Sequence, residues 1–211
     1  MLTLRFTALA LVLIASACSR EGNIEDGGIY ITRSACPQVG IPAATGDITL
    51  FNPSNRTDAA ALDVSAAITN VRSTCDESGA NVVSTATFDV VATRRDPSQA
   101  RTVVLPYFSV AMQAGNQVVA KRLGNVGLNF AAGSVRAQTS GQATIQVSRS
   151  IATLPEEVRK ELTRKRKPTD ADASVDPLSD PKIRDAVARA TFEHLIGFQL
   201  TQEQLRYNAT R

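Results

Sequence analysis

The stretch VVSTATFDVVA, residues 82–92, determines the fold class of this 211-residue chain. Its small and apolar side chains share one parity, and most side chains of the other parity are Thr or Asp. A period of two is typical of a β-strand that has one face in the core and the other in solvent. We therefore predict a long strand here, with the even-numbered side chains turned inward.

The same alternation recurs through residues 29–152, most clearly at 62–69 and 143–148. Polar and glycine-containing turns at residues 76–79 and 114–116 lie between such runs, as in hairpins. Six to eight strands with no helical pattern among them predict a mainly β domain. We expect an antiparallel β-sandwich, immunoglobulin-like or similar, with a small β-barrel as the alternative.

From residue 153 to residue 211 the pattern becomes helical. Pro155 followed by two glutamates predicts a first helix, which we expect to end at Pro168. The acidic, proline-containing segment 168–180 is typical of a linker. Asp180 can cap a second helix, predicted to run to about Ile196.

The end of this tail is rich in apolar side chains. A capping box, Thr-Gln-Glu-Gln at residues 201–204, predicts one more helical turn. The tail either packs back onto the β domain or docks into a partner complex. The candidate docking residues are Phe192, Leu195, Ile196, Phe198, Leu200, Leu205 and Tyr207.

A basic stretch lies at residues 159–167, where six cations accompany one acid, Glu161. Such a segment can contact anionic lipid head groups, or it can be a solvated helix end whose cations offset the helix dipole. The cations are Arg159, Lys160, Arg164, Lys165, Arg166 and Lys167.

The N-terminus carries a targeting signal. Arg5 precedes the apolar run LALVLIASAC, residues 9–18. A membrane-spanning helix needs roughly twenty apolar residues, so this run is typical of a secretory signal peptide. Because Ala-Ser-Ala at residues 15–17 stands directly before Cys18, the run resembles the lipobox of bacterial lipoproteins.

The resemblance implies that residues 1–17 are removed and that Cys18 is lipidated, palmitate being one expected acyl group. Residues 18–28 would then be a tether between the lipid and the folded domain. Ser19, rather than an aspartate, follows the cysteine, which implies sorting to the outer membrane, with the protein facing the periplasm. The alternative is an ordinary signal peptide that leaves Cys18 as a free thiol.

Charge and cysteine content add two constraints. Without Arg5 the chain has 22 Lys and Arg against 20 Asp and Glu, so it is nearly neutral and gives no case for nucleic acid. Once Cys18 is lipidated, Cys36 and Cys75 remain as a pair in an oxidising compartment. We predict that they form a disulfide, which should stabilise the fold by roughly 4 kcal/mol. Two buried free thiols are the alternative.

The sequence offers little chemistry. The single histidine, His194, falls close to the apolar stripe of the second predicted helix, and we interpret it as a core histidine satisfied by a hydrogen bond. A calcium loop starting at Asp170 fails, because Val175 and Pro181 stand where glycine and glutamate are required. We therefore predict no catalytic residue, no metal site and no cofactor.

These observations lead to one preferred function and two alternatives. We expect a non-enzymatic, lipid-anchored protein of the cell envelope with a scaffolding or assembly role. The first alternative is a binding module that holds a small molecule, glycan or lipid between its sheets. The second is a hydrolase, which would require His194 or a pair of carboxylates to face a cleft.

Overall fold

A computed structural model describes residues 34–210 of the chain, and the backbone of two short strands before them. The chain divides into two compact units, Met1–Arg33 with Lys165–Ala173, and Ser34–Arg164 with Ser174–Arg211. The predicted signal peptide and Cys18 lie outside the described residues. In the first unit, β1 (Asn23–Glu25) pairs antiparallel with β2 (Gly28–Tyr30). The assignment of residues 18–28 as a tether stays a prediction.

The second unit is mainly β and contains two four-stranded sheets. All neighbouring strands are antiparallel except β3 and β10, which are parallel. The first sheet has the order β3 (Gln38–Gly40), β10 (Phe192–Phe198), β7 (Arg101–Gln113) and β8 (Gln117–Phe130). The second has the order β4 (Asp47–Phe51), β5 (Leu62–Asp76), β6 (Asn81–Arg94) and β9 (Arg136–Ser148).

In the described part of the chain, four helices lie C-terminal to β9. Short 3₁₀ turns precede β5 at Ala59–Ala61 and the third helix at Pro177–Ser179. The helices are α1 (Arg149–Ala152), α2 (Glu156–Thr163), α3 (Pro181–Ala190) and α4 (Gln202–Thr210).

The two sheets share a main hydrophobic core, and a second, smaller cluster lies beside it. Val90 of β6 and Leu128 of β8 are completely buried in the same cluster, although they belong to different sheets. The inward parity predicted for residues 82–92 is confirmed, because Val82, Phe88 and Val90 are each at most 1% exposed. Burial of these apolar faces supplies the main stabilising free energy of the fold.

Two aromatic rings in this core, those of Phe88 and Tyr107, each lie against a glycine of the neighbouring strand. Phe88 and Tyr107 meet edge to face with ring centroids 5.2 Å apart. A Cβ atom at Gly141 would overlap the Phe88 ring, and one at Gly124 would overlap the Tyr107 ring. The Tyr107 hydroxyl also donates to the carbonyl of Gln142 in the other sheet, at 2.9 Å. The missing side chains of the two glycines therefore make room for contacts that join the sheets.

The largest departure from the sequence prediction is β10. We predicted one helix from Asp180 to about Ile196, but α3 ends at Ala190 and Phe192–Phe198 is a strand between β3 and β7. Its even-numbered side chains point into the core, and Ile196 and Phe198 are completely buried. The four-residue spacing of Phe192 and Ile196 favours a helix, but the segment also alternates with a period of two. A strand turns all its even-numbered side chains into the core, and this is the structure that the segment adopts.

The C-terminal helix packs onto the second sheet. The predicted capping box is confirmed, since Thr201 Oγ1 accepts from Gln204 N at 3.2 Å and Gln204 Oε1 accepts from Thr201 N at 2.9 Å. Tyr207 meets Phe51 of β4 edge to face at 5.2 Å, and the Asn208 amide donates to the carbonyl of Asp47 at 2.8 Å. The C-terminal part of the tail, with β10 and α4, therefore packs within the second unit.

Candidate functional site

The predicted disulfide holds the first residues of the second unit in place. Cys36 and Cys75 are bonded, with their Cα atoms 6.0 Å apart, as the sequence predicted. Next to them, the Glu77 carboxylate accepts hydrogen bonds from Ser34 Oγ at 3.1 Å and from Ala35 N at 3.0 Å. The segment before β3 is thus attached to the hairpin between β5 and β6 by one covalent bond and two hydrogen bonds.

His194 lies in the interior and links the two sheets. Its ring has no solvent exposure, and Nε2 is hydrogen-bonded to Ser109 Oγ of β7 at 2.9 Å. Nδ1 is hydrogen-bonded to Ser84 Oγ of β6, in the other sheet, at 3.0 Å. Burial lowers the pKa of His194 from 6.5 to about 4, so the ring is neutral near pH 7. The interpretation as a satisfied core histidine is confirmed, on a strand rather than on a helix.

This arrangement bears on the hydrolase alternative. The two serine side chains next to His194 are themselves buried, Ser84 being 1% and Ser109 2% exposed. A nucleophile must reach its substrate, and these hydroxyl groups lie between the sheets. The structure therefore does not place His194 at a cleft, which was one of the two arrangements named for that alternative; the other, a pair of carboxylates at a cleft, is a separate question.

A second buried polar group, Arg94, escaped the sequence analysis. It is 5% exposed and lies over the Phe130 ring at 5.0 Å. Its guanidinium donates to four backbone carbonyls in the loops that follow β6 and β8. The sequence could have indicated this burial, because Arg94 has the same parity along β6 as the inward-facing Val90 and Ala92. The acceptors are the carbonyls of Pro97, Gln99, Ala131 and Ser134, at 2.6 to 3.2 Å.

The basic stretch is extensively ion-paired. Arg159 and Lys160 contact Glu156 at 2.5 Å and 3.8 Å, and Arg164 contacts Glu161 at 3.2 Å. In the other unit, Arg166 lies 3.6 Å from Asp172. Because α2 ends at Thr163, the prediction of a helix continuing to Pro168 is wrong. These contacts agree with the interpretation of the basic stretch as a solvated segment whose cations are neutralised by nearby acids. Its contact with anionic lipid head groups stays a prediction.

The predicted docking residues fall into two groups. Phe192, Ile196 and Phe198 are buried in the core of their own chain, so their assignment to a partner interface is wrong. The strand pairing of β10 explains this, since it turns all three inward. Leu195, Leu200 and Tyr207 are half-buried, whereas Leu205 is 42% exposed.

The most exposed large apolar side chains lie on the outer surface of the first sheet. Leu123 of β8 is 66% exposed and Val104 of β7 is 60% exposed. Leu123 stands directly opposite Phe108 on β7, and the Lys121 ammonium lies 5.6 Å from the centre of the Phe108 ring. We call these three apolar residues, Val104, Phe108 and Leu123, the outer β7–β8 face.

Two of the clefts on the described surface are formed by loops and strand ends of the second unit, and neither of these two lies between the sheets. One, of about 710 Å³, is open to solvent at the end of β9 and the start of α2. The other, of about 400 Å³, lies beside the starts of β7 and the loop after β8. The larger cleft is lined by Ala80, Ser148, Arg149, Ser150, Thr153, Leu154 and Pro155.

No group of three or more His, Cys, Asp or Glu side chains in the described part of the chain could hold a metal ion. Among the same residues, no helix is both long and apolar enough to cross a membrane. No family model, no curated protein and no solved structure matches this chain.

Proposed function

We propose that this protein is a non-enzymatic lipoprotein of the bacterial cell envelope with a scaffolding or assembly role. The observation that carries the proposal is the run LALVLIASAC, residues 9–18, which resembles a lipobox ending at Cys18. A lipoprotein of this type carries three acyl chains, and each buried CH₂ contributes about 0.8 kcal/mol to membrane binding. The folded domain would thus be held permanently at the membrane, in the outer membrane and facing the periplasm.

The disulfide supports this location. Disulfides form and persist in oxidising compartments such as the bacterial periplasm and are rare in the cytosol. The Cys36–Cys75 bond pairs the two cysteines that remain once Cys18 is lipidated. We further propose that the two sheets form a β-sandwich, immunoglobulin-like or similar, which is an architecture that presents broad sheet faces to partners.

The outer β7–β8 face supports an assembly role. A stable protein interface combines an apolar centre with a polar rim that remains accessible to water. Leu123 and Val104 supply exposed apolar side chains, with the Pro106–Asn125 pair between them. Lys121 and Asn129 on β8 supply polar side chains at the two ends of this surface. We propose that another protein of the cell envelope binds here, with an acidic or neutral rim facing Lys121.

A crosslinked pull-down from the native envelope tests the assembly role. Leu123→Asp places a charge at the centre of the outer β7–β8 face and should reduce recovery of specific partners by about tenfold or more. Val91→Asp is the matched control, because Val91 is also exposed, at 38%, but on the outer surface of the second sheet. Thermal unfolding of both variants checks that they fold equally well.

Several outcomes would contradict this proposal. Equal loss of partners in both variants would assign the effect to folding, and equal retention would exclude the outer β7–β8 face. Recovery of further copies of the same chain alone would indicate self-association rather than assembly with another protein. Recovery of no specific partner by the unaltered protein would leave the assembly role without support and would favour the binding-module alternative.

A further inference from the structure

His194 occupies the boundary between two hydrophobic clusters. The larger cluster contains Phe88 and Phe198, and the smaller one contains Val82 and Phe192. The ring of His194 is bonded to a serine of its own sheet and to a serine of the opposite sheet, as described above. A buried polar bridge of this kind is favourable only while all its groups stay satisfied, because unsatisfied polar groups in the interior are costly.

The neighbours of His194 offer nothing to balance a positive charge. Glu193, the acid next to it in sequence, lies on the opposite parity of β10 and so faces away from the core. The Cys36 side chain, which packs against the smaller cluster, is held in the disulfide and does not titrate. One charged residue shares the inward parity of β8, Arg122, which stands opposite Ser109; it is exposed, and as a cation it cannot balance a second positive charge. The buried and half-buried inward side chains around this end are apolar or hydroxyl-bearing, namely Val39, Val82, Ser84, Ala86, Ser109, Ala111, Ala120, Ile145, Val147 and Ala152.

We propose that His194 is an acid-sensitive lock between the two sheets. While the ring is neutral, it joins β10 to β6 through Ser84. When the ring is protonated, an unpaired positive charge lies between the sheets. Local separation of the sheets, which lets water hydrate the imidazolium, is then favoured. The end of the molecule that contains the smaller cluster then opens first, because Phe192, next to His194 on β10, is part of that cluster.

The direction of the pH effect follows from the two protonation states. In the unfolded chain His194 has an ordinary pKa of 6.5, whereas burial lowers its pKa in the folded protein to about 4. Above pH 6.5 both states are neutral and the histidine contributes no pH dependence. As the pH falls from 6.5 to 4, the unfolded state binds the proton first, so stability is lost across this window and levels off below it.

The same end of the molecule is also held covalently. The side chains of Ala35 and Cys36 pack against the smaller cluster, so the Cys36–Cys75 bond restrains the segment that covers it. The disulfide therefore limits how far the acid-induced opening extends. Reduction should make opening occur at a higher pH, since the covering segment is then released.

The full-length protein with its single histidine is suited to a direct test. The ring resonances of His194 can be followed by NMR between pH 7.5 and 4 without any assignment problem. We expect no titration of the native signal near pH 6.5. A native signal that titrates with a midpoint close to 6.5 would overturn the proposal, because it would mean that the folded protein accepts the proton without penalty.

Denaturant unfolding at pH 7 and pH 4.5 gives the second measurement. The unfolding constant of the unaltered protein should rise by about 50-fold more than that of His194→Gln, which keeps a polar side chain but does not titrate. Carboxylates contribute to both proteins and cancel in this comparison. Ser109→Ala is a second control, which retains the histidine and should retain the extra pH dependence. An equal rise in the unaltered protein and His194→Gln would also overturn the proposal.

Discussion

Gly141 shows how one missing side chain supports the packing of the second sheet. This residue of β9 stands opposite Phe88 of β6, and the Phe88 ring occupies the space where a Cβ atom would lie. The ring is 1% exposed and meets Tyr107, so it has no free space into which it could retreat. Overpacking of this kind forces side chains out of their preferred rotamers or shifts the backbone.

We therefore expect Gly141→Ala to destabilise the protein by about 1–3 kcal/mol, measured by urea unfolding. Gly127→Ala is the matched control, because Gly127 also lies within a long strand but a Cβ atom there meets no other atom within 4 Å. That variant should be neutral or more stable by up to about 1 kcal/mol. Equal stability changes in the two variants would contradict the proposed role of the Phe88 ring.

At the same scale, the partners of His194 were beyond the reach of the sequence. Its two serines lie 85 and 110 residues away along the chain. Which serines meet the ring depends on the order of strands in each sheet and on how the sheets face each other, and neither follows from local periodicity. The disulfide was predictable, because the cysteine count left a single pair once Cys18 was assigned to lipid.

At the scale of elements, the long strands β5, β6 and β9 were predictable because each carries a clear alternation of buried and exposed side chains. β10 was not. Ile183, Val187 and Ala190 gave a helical stripe that ends where α3 ends, and the following segment combines a four-residue spacing with alternation. The segment forms a strand because it pairs with both β3 and β7, and this long-range pairing cannot be read from the local sequence.

The central position of β10 gives a prediction at this scale. A chain ending at Ala190 lacks the strand that pairs with β3 and β7 and that brings Ile196 and Phe198 into the core. It should lose cooperative urea unfolding and the near-ultraviolet circular dichroism of the native protein. A chain ending at Leu200 keeps β10 and lacks only α4, so it should unfold cooperatively at a lower urea concentration. Native-like cooperativity of the shorter chain would contradict this account.

At the scale of the whole molecule, two features support the proposal of an anchored, extracytoplasmic protein. The sequence before Cys18 resembles a lipoprotein signal, and the folded unit begins at a segment held by the Cys36–Cys75 disulfide. A domain attached to a membrane at its N-terminus benefits from a firm link between that segment and a long hairpin. The outer surfaces of the two sheets differ in composition. The first sheet exposes Leu123 and Val104, whereas the outward side chains of β6 and β9 in the second sheet are mostly hydroxyl and amide groups.

The most direct test of the account is the intact mass of the protein purified from bacterial membranes, measured beside a Cys18→Ser variant. We predict a chain that begins at Cys18 and carries a diacylglyceryl group and one further acyl group, labelled by radioactive palmitate and absent from the variant. The variant should also leave the detergent phase. An unmodified chain with a free Cys18 thiol, or a variant that still partitions into detergent, would contradict the lipid anchor and with it the proposed function.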